Sequence, residues 1–177
     1  MNGIVLASAS PRRRQLLDMI GVGYEVLPVD IDETPLPEEA PADFVLRMAL
    51  DKARAGATHR RGKGPDAPSP RSGAVVLGAD TVVTIDGLIL GKPVDRADGL
   101  RMLRLLSGRE HQVYTAVAVV GGGREETRLA ESIVRFRRIG REEAEEYWET
   151  GEPHDKAGGW AIQGLGAVFV EHMTEIG

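Results

Sequence analysis

At the start of the chain, apolar residues first form a continuous run, which is typical of a buried strand. They then recur every three to four residues, which is typical of a helix. Residues 4–7 are a short apolar run of strand type. Ser10 and Pro11 follow, and this pair is typical of an N-cap and a first helical residue. A helix is therefore predicted from Pro11 to about Ile20, with Gly21 as its stop. Its expected buried stripe consists of Leu16, Leu17 and Ile20.

A second helix is predicted from about Ala42 to Ala55, because apolar residues recur there at helical spacing. Its stripe is Val45, Met48, Ala49 and then Lys52, so a lysine lies on the inward row. Such a side chain either extends to water or reaches an anionic ligand, and the pattern leaves both open. The stretch from Gly56 to Gly73 is rich in Gly, Pro, Arg and Ser and has no apolar period, which predicts a mobile surface loop.

Hairpins dominate the rest of the chain. The strongest strand pattern runs from Ala74 to Ile85, and Asp86-Gly87 with a short apolar run after it predicts a two-residue hairpin turn. Further strands are predicted at 24–29, 112–120, 127–137 and 167–171, and further helices at 95–106 and 142–149, the former with Ala97, Leu100, Leu103 and either Arg104 or Leu106 on its buried face. Because helices alternate with strands only early in the chain, we predict one α/β domain with a mixed sheet.

The composition is that of a globular domain and narrows the chemistry. The 177 residues are 42% apolar and 28% charged, and no apolar run approaches the roughly 18 residues that cross a bilayer, so we expect a cytoplasmic protein without a membrane partner. The absence of cysteine excludes thiolate and disulfide chemistry. The formal charge of -5 argues against nucleic acid as a partner, and the basic stretch 135–141 has no aromatic stacking set beside it. Small basic clusters in an acidic protein favour a small anionic ligand.

Two hydroxyls and two arginines stand at the predicted start of the first helix. Backbone N–H groups there, the hydroxyls of Ser8 and Ser10, and the guanidinium groups of Arg12 and Arg13 can converge on phosphate oxygens. An ordinary capped helix with solvated arginines explains the same residues. The physics alone favours that simpler explanation, because helix caps are common.

Carboxylates occur in two places that suit a metal site or catalysis. Asp30, Asp32 and Glu33 follow a predicted strand, and grouped carboxylates can hold Mg²⁺ or Mn²⁺ when phosphates supply the remaining ligands. Such acidic loops are more often only solvated. Asp80 lies inside a strongly apolar strand, where an unpaired charge is costly, so a functional role is favoured over a solvent-facing position on an edge strand.

Two segments in the second half of the chain are further candidates. If Asp86 and Gly87 form the turn, Lys92 pairs with Thr81, and a bend near Gly91 is needed to turn Lys92 toward Asp80. The loop 151–166 is too long for a simple turn, which indicates either ligand binding or a flexible connection. Its Gln163 offers a donor and an acceptor for the edge of a base. The four histidines have no ligand spacing, and none is assigned to a metal.

Taken together, these segments resemble the Maf family of nucleotide pyrophosphatases over almost the whole chain. The resemblance rests on LASASPRRRQLL, DETP, the Lys52 helix, LGADTVV with DGLILGKP, SGREHQVYTAV, and GEPHDKAGGWAIQGLGAVFVE, in that order. It implies an α/β fold in which an elongated, twisted mixed sheet is flanked by helices around a deep cleft. It also implies hydrolysis of a nucleoside triphosphate to the monophosphate and pyrophosphate with a divalent cation, Mg²⁺ or Mn²⁺.

The resemblance further assigns roles to individual residues. Asp80 is expected to accept the proton, and Glu33 and Asp80 to hold the metal. The expected substrate contacts are Ser8, Ser10, Arg12, Arg13, Glu33, Lys52, Thr81, Lys92, Asp155, Lys156 and Gln163. The chain looks like the branch that acts on dTTP and UTP, because Arg13, Thr81 and Gln163 match the selectivity positions of that branch. Family members also act on modified pyrimidine nucleotides and clean the nucleotide pool.

Two expectations and two departures from the family pattern complete the sequence-based hypothesis. A homodimer is expected from the resemblance. The chain ends at Gly177, where the family usually continues with a further segment, and the loop 56–73 is longer than usual. The alternative function is that of a non-catalytic nucleotide sensor that regulates septum formation through a partner protein.

Overall fold

The computed structural model describes residues 3–61 and 75–176, with the side chains of residues 60 and 61 left out. Within these ranges the helices are α1 (Pro11–Met19), α2 (Pro41–Arg61), α3 (Arg96–Leu106) and α4 (Arg141–Glu149). The strands are β1 (Ile4–Leu6), β2 (Tyr24–Val26), β3 (Val75–Ile85), β4 (Leu88–Leu90), β5 (Glu110–Gly121), β6 (Arg124–Phe136) and β7 (Val170–Glu175). No helix in the described part of the chain is both long and apolar enough to cross a membrane.

The described strands form one mixed sheet, which confirms the predicted fold class. Its order is β2-β1-β3-β5-β6-β7, and β4 pairs with β3. Strand β1 is parallel to both β2 and β3, whereas the pairs β3–β4 and β6–β7 are antiparallel. The early helix-strand alternation therefore produces the parallel part of the sheet, and the later hairpins produce antiparallel pairs.

The chain divides into two compact units. The first unit contains Met1–Asp80 and Ala116–Leu129, and the second contains Thr81–Thr115 and Ala130–Gly177. In the first unit, the buried apolar residues come from β1 and the residue after it, and from α2, β3 and β5. In the second, a cluster that includes Leu103, Phe136, Trp160 and Phe169 forms the core. The sequence-based hypothesis of a single domain stays a prediction.

Helix α2 confirms the predicted stripe and extends beyond it. Val45, Met48 and Ala49 are fully buried, and Lys52 is 9% exposed. The helix continues to Arg61, so the predicted loop is wrong for residues 56–61. The remainder of that predicted loop, 62–73, lies outside the described residues.

The predicted burial of α1 is wrong. Its bounds and its Ser10 N-cap agree with the pattern, but none of its residues is buried, and Leu16 and Ile20 are 45% and 71% exposed. Leu16, Leu17, Met19 and Ile20 lie at nearly successive positions and so spread around a nine-residue helix instead of forming one stripe. In α3 the buried face contains Gly99, Met102, Leu103 and Leu106, while Ala97 and Arg104 are exposed.

The first hairpin has the predicted turn and register. Asp86 and Gly87 both have positive φ, as a type I′ turn requires, and Ile85 pairs with Leu88. The last strand begins later than predicted, at Val170, because residues Leu165–Phe169 form a 3₁₀ helix.

Candidate functional site

The segment between β1 and α1 is held by a buried hydroxyl. Ser8 is 6% exposed, and its Oγ accepts hydrogen bonds from the Ser10 backbone N–H at 3.2 Å and from Nη1 of Arg13 at 3.0 Å. The Ser10 side chain makes no capping hydrogen bond, although Ser10 occupies the N-cap. Ser8 rather than Ser10 therefore orders this segment and fixes the direction of Arg13.

Arg13 is directed toward two carboxylates of the first unit. Burial lowers the pKa of its guanidinium, and the negative charges of Asp80 and Glu33 act in the opposite direction. The guanidinium keeps its proton, since the ordinary arginine pKa lies far above neutrality. Arg12 is half-buried, and its Nε makes no hydrogen bond to any described residue. The expectation of solvated arginines thus fails for this pair.

Lys52 joins two carboxylates that come from distant parts of the sequence. Its Nζ lies 2.7 Å from Oδ1 of Asp80 and 2.8 Å from Oε1 of Glu33. The side chain is 11% exposed, so it does not extend to water from the α2 stripe. Asp80 is 15% exposed at its side chain, whereas Glu33 is 56% exposed. The pair Lys52–Asp80 is consequently shielded, and Glu33 borders the solvent.

Gly78 explains why α2 comes close enough for this contact. It precedes Asp80 by two residues on β3, so both point to the same face of the strand. A Cβ atom at Gly78 would lie 2.2 Å from the Ala49 carbonyl oxygen and 2.6 Å from the Ala53 nitrogen. Only a residue without a side chain permits the backbone of α2 to pack at this distance. Strand β3 lies between β1 and β5, which contradicts the edge-strand alternative for Asp80.

The acidic segment after β2 does not act as one cluster. Of its three carboxylates, Glu33 contacts Lys52, whereas Asp32 accepts a hydrogen bond from the Thr34 N–H at 2.9 Å. The Thr34 side chain, and after it this backbone N–H, lower the pKa of Asp32 by hydrogen bonding, so Asp32 serves a local turn. Asp30 is exposed. In the described part of the chain, no group of three or more His, Asp or Glu side chains is arranged to hold a metal ion.

The donor set at Lys52 nevertheless fits one kind of cation. Oxygens of Glu33 and Asp80 converge on a common positively charged atom, the Lys52 ammonium nitrogen. Mg²⁺ and Mn²⁺ prefer oxygen ligands and are bound by one or two carboxylates when substrate phosphates complete the coordination. The two carboxylates are therefore suited to a cation that arrives with phosphate, and they are too few for a site made of protein alone.

In the second unit, the predicted pairing of Thr81 with Lys92 does not form. Strand β4 ends at Leu90, and the next carbonyl, that of Gly91, accepts a hydrogen bond from the Gly158 N–H at 3.0 Å. The 151–166 loop therefore contacts the chain directly after β4, and Lys92 lies outside the strand. Lys92 is exposed. The pKa of Asp155 is lowered mainly by a hydrogen bond from Lys156, and the positive charge of Lys92 makes a smaller contribution in the same direction.

The other candidate site residues of the second unit, Thr81 and Gln163, share no common hydrogen-bond partner among the contacts described here. Thr81 is half-buried, and its Oγ1 lies 3.1 Å from Oγ1 of Thr115 on β5. Gln163 is exposed in the 151–166 loop. That loop contains the short 3₁₀ helices Glu152–Asp155 and Ala157–Gly159, and a third, Leu165–Phe169, begins at its end.

Glu152 is a structural carboxylate that the sequence reasoning missed. It accepts hydrogen bonds from the Tyr147 hydroxyl at 2.7 Å and from the backbone N–H groups of Leu165 and Gly166 at 2.8 and 2.9 Å. Burial acts to raise the pKa of Glu152, but these hydrogen bonds outweigh it and lower the pKa. The two ends of the loop are thereby tied together. No local pattern signals this role, because two of the three donors are 13 and 14 residues away.

The basic stretch 135–141 is largely neutralised within the second unit. Arg135 pairs with Glu110 and Glu171, Arg137 with Glu143, and Arg141 with Glu145. These ion pairs remove much of the positive potential that a nucleic acid would need.

Comparison with known proteins identifies a family and several relatives of this chain. The family model described as Maf-like protein matches residues 3–176. A protein named dTTP/UTP pyrophosphatase from Alkalilimnicola ehrlichii is 54% identical over 96% of this chain and 81% of its own. Proteins of the same name from Saccharophagus degradans and Nitrosomonas europaea are 52% and 48% identical, over 96% of this chain and 78% and 83% of theirs. The chain belongs to the family of Maf-like proteins.

Proposed function

We propose that the protein hydrolyses dTTP and UTP, and modified pyrimidine nucleotides of the same shape, to the monophosphate and pyrophosphate. The observation that carries this proposal is the partly buried group of alternating charges formed by Arg13, Glu33, Lys52 and Asp80. Groups of this kind suit phosphoryl chemistry, in which positioning and charge stabilisation supply most of the rate enhancement. The names of the relatives support the choice of nucleotide.

The cationic side chains stabilise the charge that develops when the bond breaks. Water attacks the α-phosphorus, the bond from that phosphorus to the bridging oxygen breaks, and pyrophosphate leaves with the added negative charge. Arg13 and Lys52 carry fixed positive charges beside the carboxylates, and in the proposal they bind the leaving phosphates. Arg12 and Lys92 are proposed to contribute in the same way.

Asp80 is proposed as the group that orients the water and accepts its proton. Its Oδ1 is held by Lys52. A carboxylate fixed in this way presents its remaining lone pairs in a defined direction. A divalent cation held by Glu33 and Asp80 would supply charge neutralisation of the phosphates.

The remaining candidates are proposed to select and hold the nucleotide. Arg13, Thr81 and Gln163 are the selectivity positions, and the exposed amide of Gln163 can both donate to and accept from a pyrimidine edge. Ser8, Ser10, Asp155 and Lys156 complete the proposed contacts.

The test is a panel of dTTP, UTP, CTP, ATP and GTP with Mg²⁺ or Mn²⁺, with the products separated by chromatography. We expect the monophosphate and pyrophosphate, and kcat/KM for dTTP and UTP at least about tenfold above the purine nucleotides. Release of inorganic phosphate with the diphosphate, or no turnover of any nucleotide, contradicts the proposal. The non-catalytic sensor is not favoured, because the relatives carry an enzyme name.

A homodimer belongs to the same proposal. Leu16 and Met19 on α1, and Ile20 at its C-cap, leave apolar surface exposed, with Met19 at 76%. A second copy would remove such surface from water. Light scattering coupled to size-exclusion chromatography should give twice the chain mass, and a single-chain mass contradicts the dimer.

A further inference from the structure

The structure assigns a second role to Lys52: its ammonium holds the place of the divalent cation between Glu33 and Asp80 until nucleotide arrives, and then transfers to the phosphates. Metal binding is thereby made conditional on nucleotide binding. This inference rests on the proposed function and concerns the order in which the same site is filled.

The first argument is geometric. One Lys52 Nζ lies at hydrogen-bond distance from an oxygen of each carboxylate, at 2.7 Å for Asp80 and 2.8 Å for Glu33. A divalent cation held by Glu33 and Asp80 would lie between the same two side chains as the ammonium. The ammonium and the cation therefore compete for the space between the carboxylates, and repulsion between their positive charges disfavours binding of both there at once.

The second argument is the charge of the group. Arg13, Lys52, Glu33 and Asp80 carry two positive and two negative formal charges, so the site is neutral as it stands. A divalent cation alone would leave a double positive charge in a partly buried site. A triphosphate brings about four negative charges, so cation and nucleotide together are accommodated far better than the cation alone.

The third argument is the freedom of the side chain. A lysine carries a point charge on a flexible four-carbon stem, so its ammonium can move by several ångströms without motion of the helix. Glu33 is 56% exposed and borders the solvent, so ligands can enter next to the ammonium. Once on a phosphate, the ammonium still opposes negative charge, so its release from the carboxylates is compensated.

The experiment measures Mn²⁺ affinity by electron paramagnetic resonance of the free ion, with and without nucleotide. The nucleotide is a UTP analogue with a methylene group between the α- and β-phosphorus, which cannot release pyrophosphate, and Mn²⁺ bound by free analogue is subtracted. Wild type is compared with Lys52→Met. Arg54→Met is the control, because it removes one positive charge from the same helix at an exposed residue paired with Glu125.

We expect Lys52→Met to bind Mn²⁺ at least tenfold more tightly than wild type without nucleotide. We also expect the gain in Mn²⁺ affinity on adding the analogue to shrink at least tenfold, while Arg54→Met stays within twofold of wild type in both. If Lys52 only holds the fold together and stays on the carboxylates, the variant tightens Mn²⁺ binding equally in both states, and the inference is overturned. Unchanged affinity, or no Mn²⁺ binding by either protein, also overturns it.

Folding of the variant is checked by circular dichroism. Should Lys52→Met fail to fold, Lys52→Gln keeps a neutral N–H donor between the carboxylates and carries the same measurement with the same expected direction. Failure of the proposed function has a different signature, which is the absence of pyrophosphate release from every natural nucleotide in the wild-type assay. The Mn²⁺ measurement uses an uncleavable analogue and does not depend on that activity.

Discussion

Asp80 and Glu152 are both shielded carboxylates, yet they are stabilised by opposite kinds of partner. Asp80, in the first unit, is held by the Lys52 ammonium with Arg13 nearby. Glu152, in the second unit, is held by a tyrosine hydroxyl and two backbone N–H groups. A mobile cation can be exchanged for a metal or a phosphate, whereas backbone donors cannot leave without unfolding the loop. In the proposed function, the kind of partner, more than burial, therefore separates the reactive carboxylate from the structural one.

The largest expected effect is that of Asp80→Asn on activity. The amide keeps the shape but cannot accept a proton, so we expect kcat for UTP to fall on the order of 10³-fold or more. Unfolding temperature should change by only a few degrees. The measurement is pyrophosphate release together with thermal unfolding. An active Asp80→Asn enzyme would place Asp80 with Glu152 among the structural carboxylates.

Glu152→Ala should have the opposite profile. The substitution leaves a tyrosine hydroxyl and two N–H groups without their acceptor, which should cost about 3 kcal/mol of unfolding free energy. For a chain of this length that corresponds to a fall in Tm of roughly 8 °C. Glu146→Ala, exposed on α4, is the control and should melt like wild type. A Glu152→Ala variant that keeps its stability and loses activity would contradict the structural role of Glu152.

His111 is a buried titratable group that has neither a cationic partner, as Asp80 has, nor a set of backbone donors, as Glu152 has. Neither ring nitrogen makes a hydrogen bond of normal geometry to a described residue, and the ring packs against Phe136 and Trp160. Burial lowers the pKa of His111 to about 4, with the Arg109 backbone acting weakly in the opposite direction.

The unfolded chain therefore binds the His111 proton near pH 6.5 and the folded chain only near 4, so stability is lost as the pH falls through this window. We expect a loss of about 2 kcal/mol between pH 7 and pH 5, measured by urea unfolding. His111→Phe should flatten this part of the profile. An equal slope in the variant would assign the acid sensitivity to other groups.

The smallest expected effect is that of Glu125→Gln. Glu125 has a cationic partner, as Asp80 does, since Arg54 donates to both its oxygens at 2.6 and 2.9 Å, but the pair is exposed. Solvent and salt screen such a pair. Tm should change by less than about 2 °C, and raising the salt concentration should reduce the difference further. A larger shift would mean that cationic partners matter to stability even without shielding.

Local sequence patterns were sufficient where one stripe or one turn decides the structure. The apolar period of α2 predicted that Lys52 points inward, and Asp86-Gly87 predicted the hairpin register. The exposure of Leu16 and Ile20 was not predicted, because a short helix with apolar residues on several sides has no single inward face.

The site itself was predictable only in part. The sequence identified Arg13, Lys52 and Asp80 as candidates, but the contact between Lys52 and Asp80 depends on how α2 packs on β3. Lys92 was expected to pair with Thr81, and the hydrogen bond from Gly158 to Gly91 that ends β4 is a long-range contact with no local signature. Glu152 was missed for the same reason.

The close packing at Gly78 also determines which side chains position 52 tolerates. The Ala49 carbonyl would lie only 2.2 Å from a Cβ atom there, so the separation between helix and strand has no slack. The Lys52 side chain spans that separation and ends between two carboxylates, whereas a planar guanidinium is bulkier. We therefore expect the spacing set by Gly78 on β3 to favour lysine over arginine at this position of the facing helix.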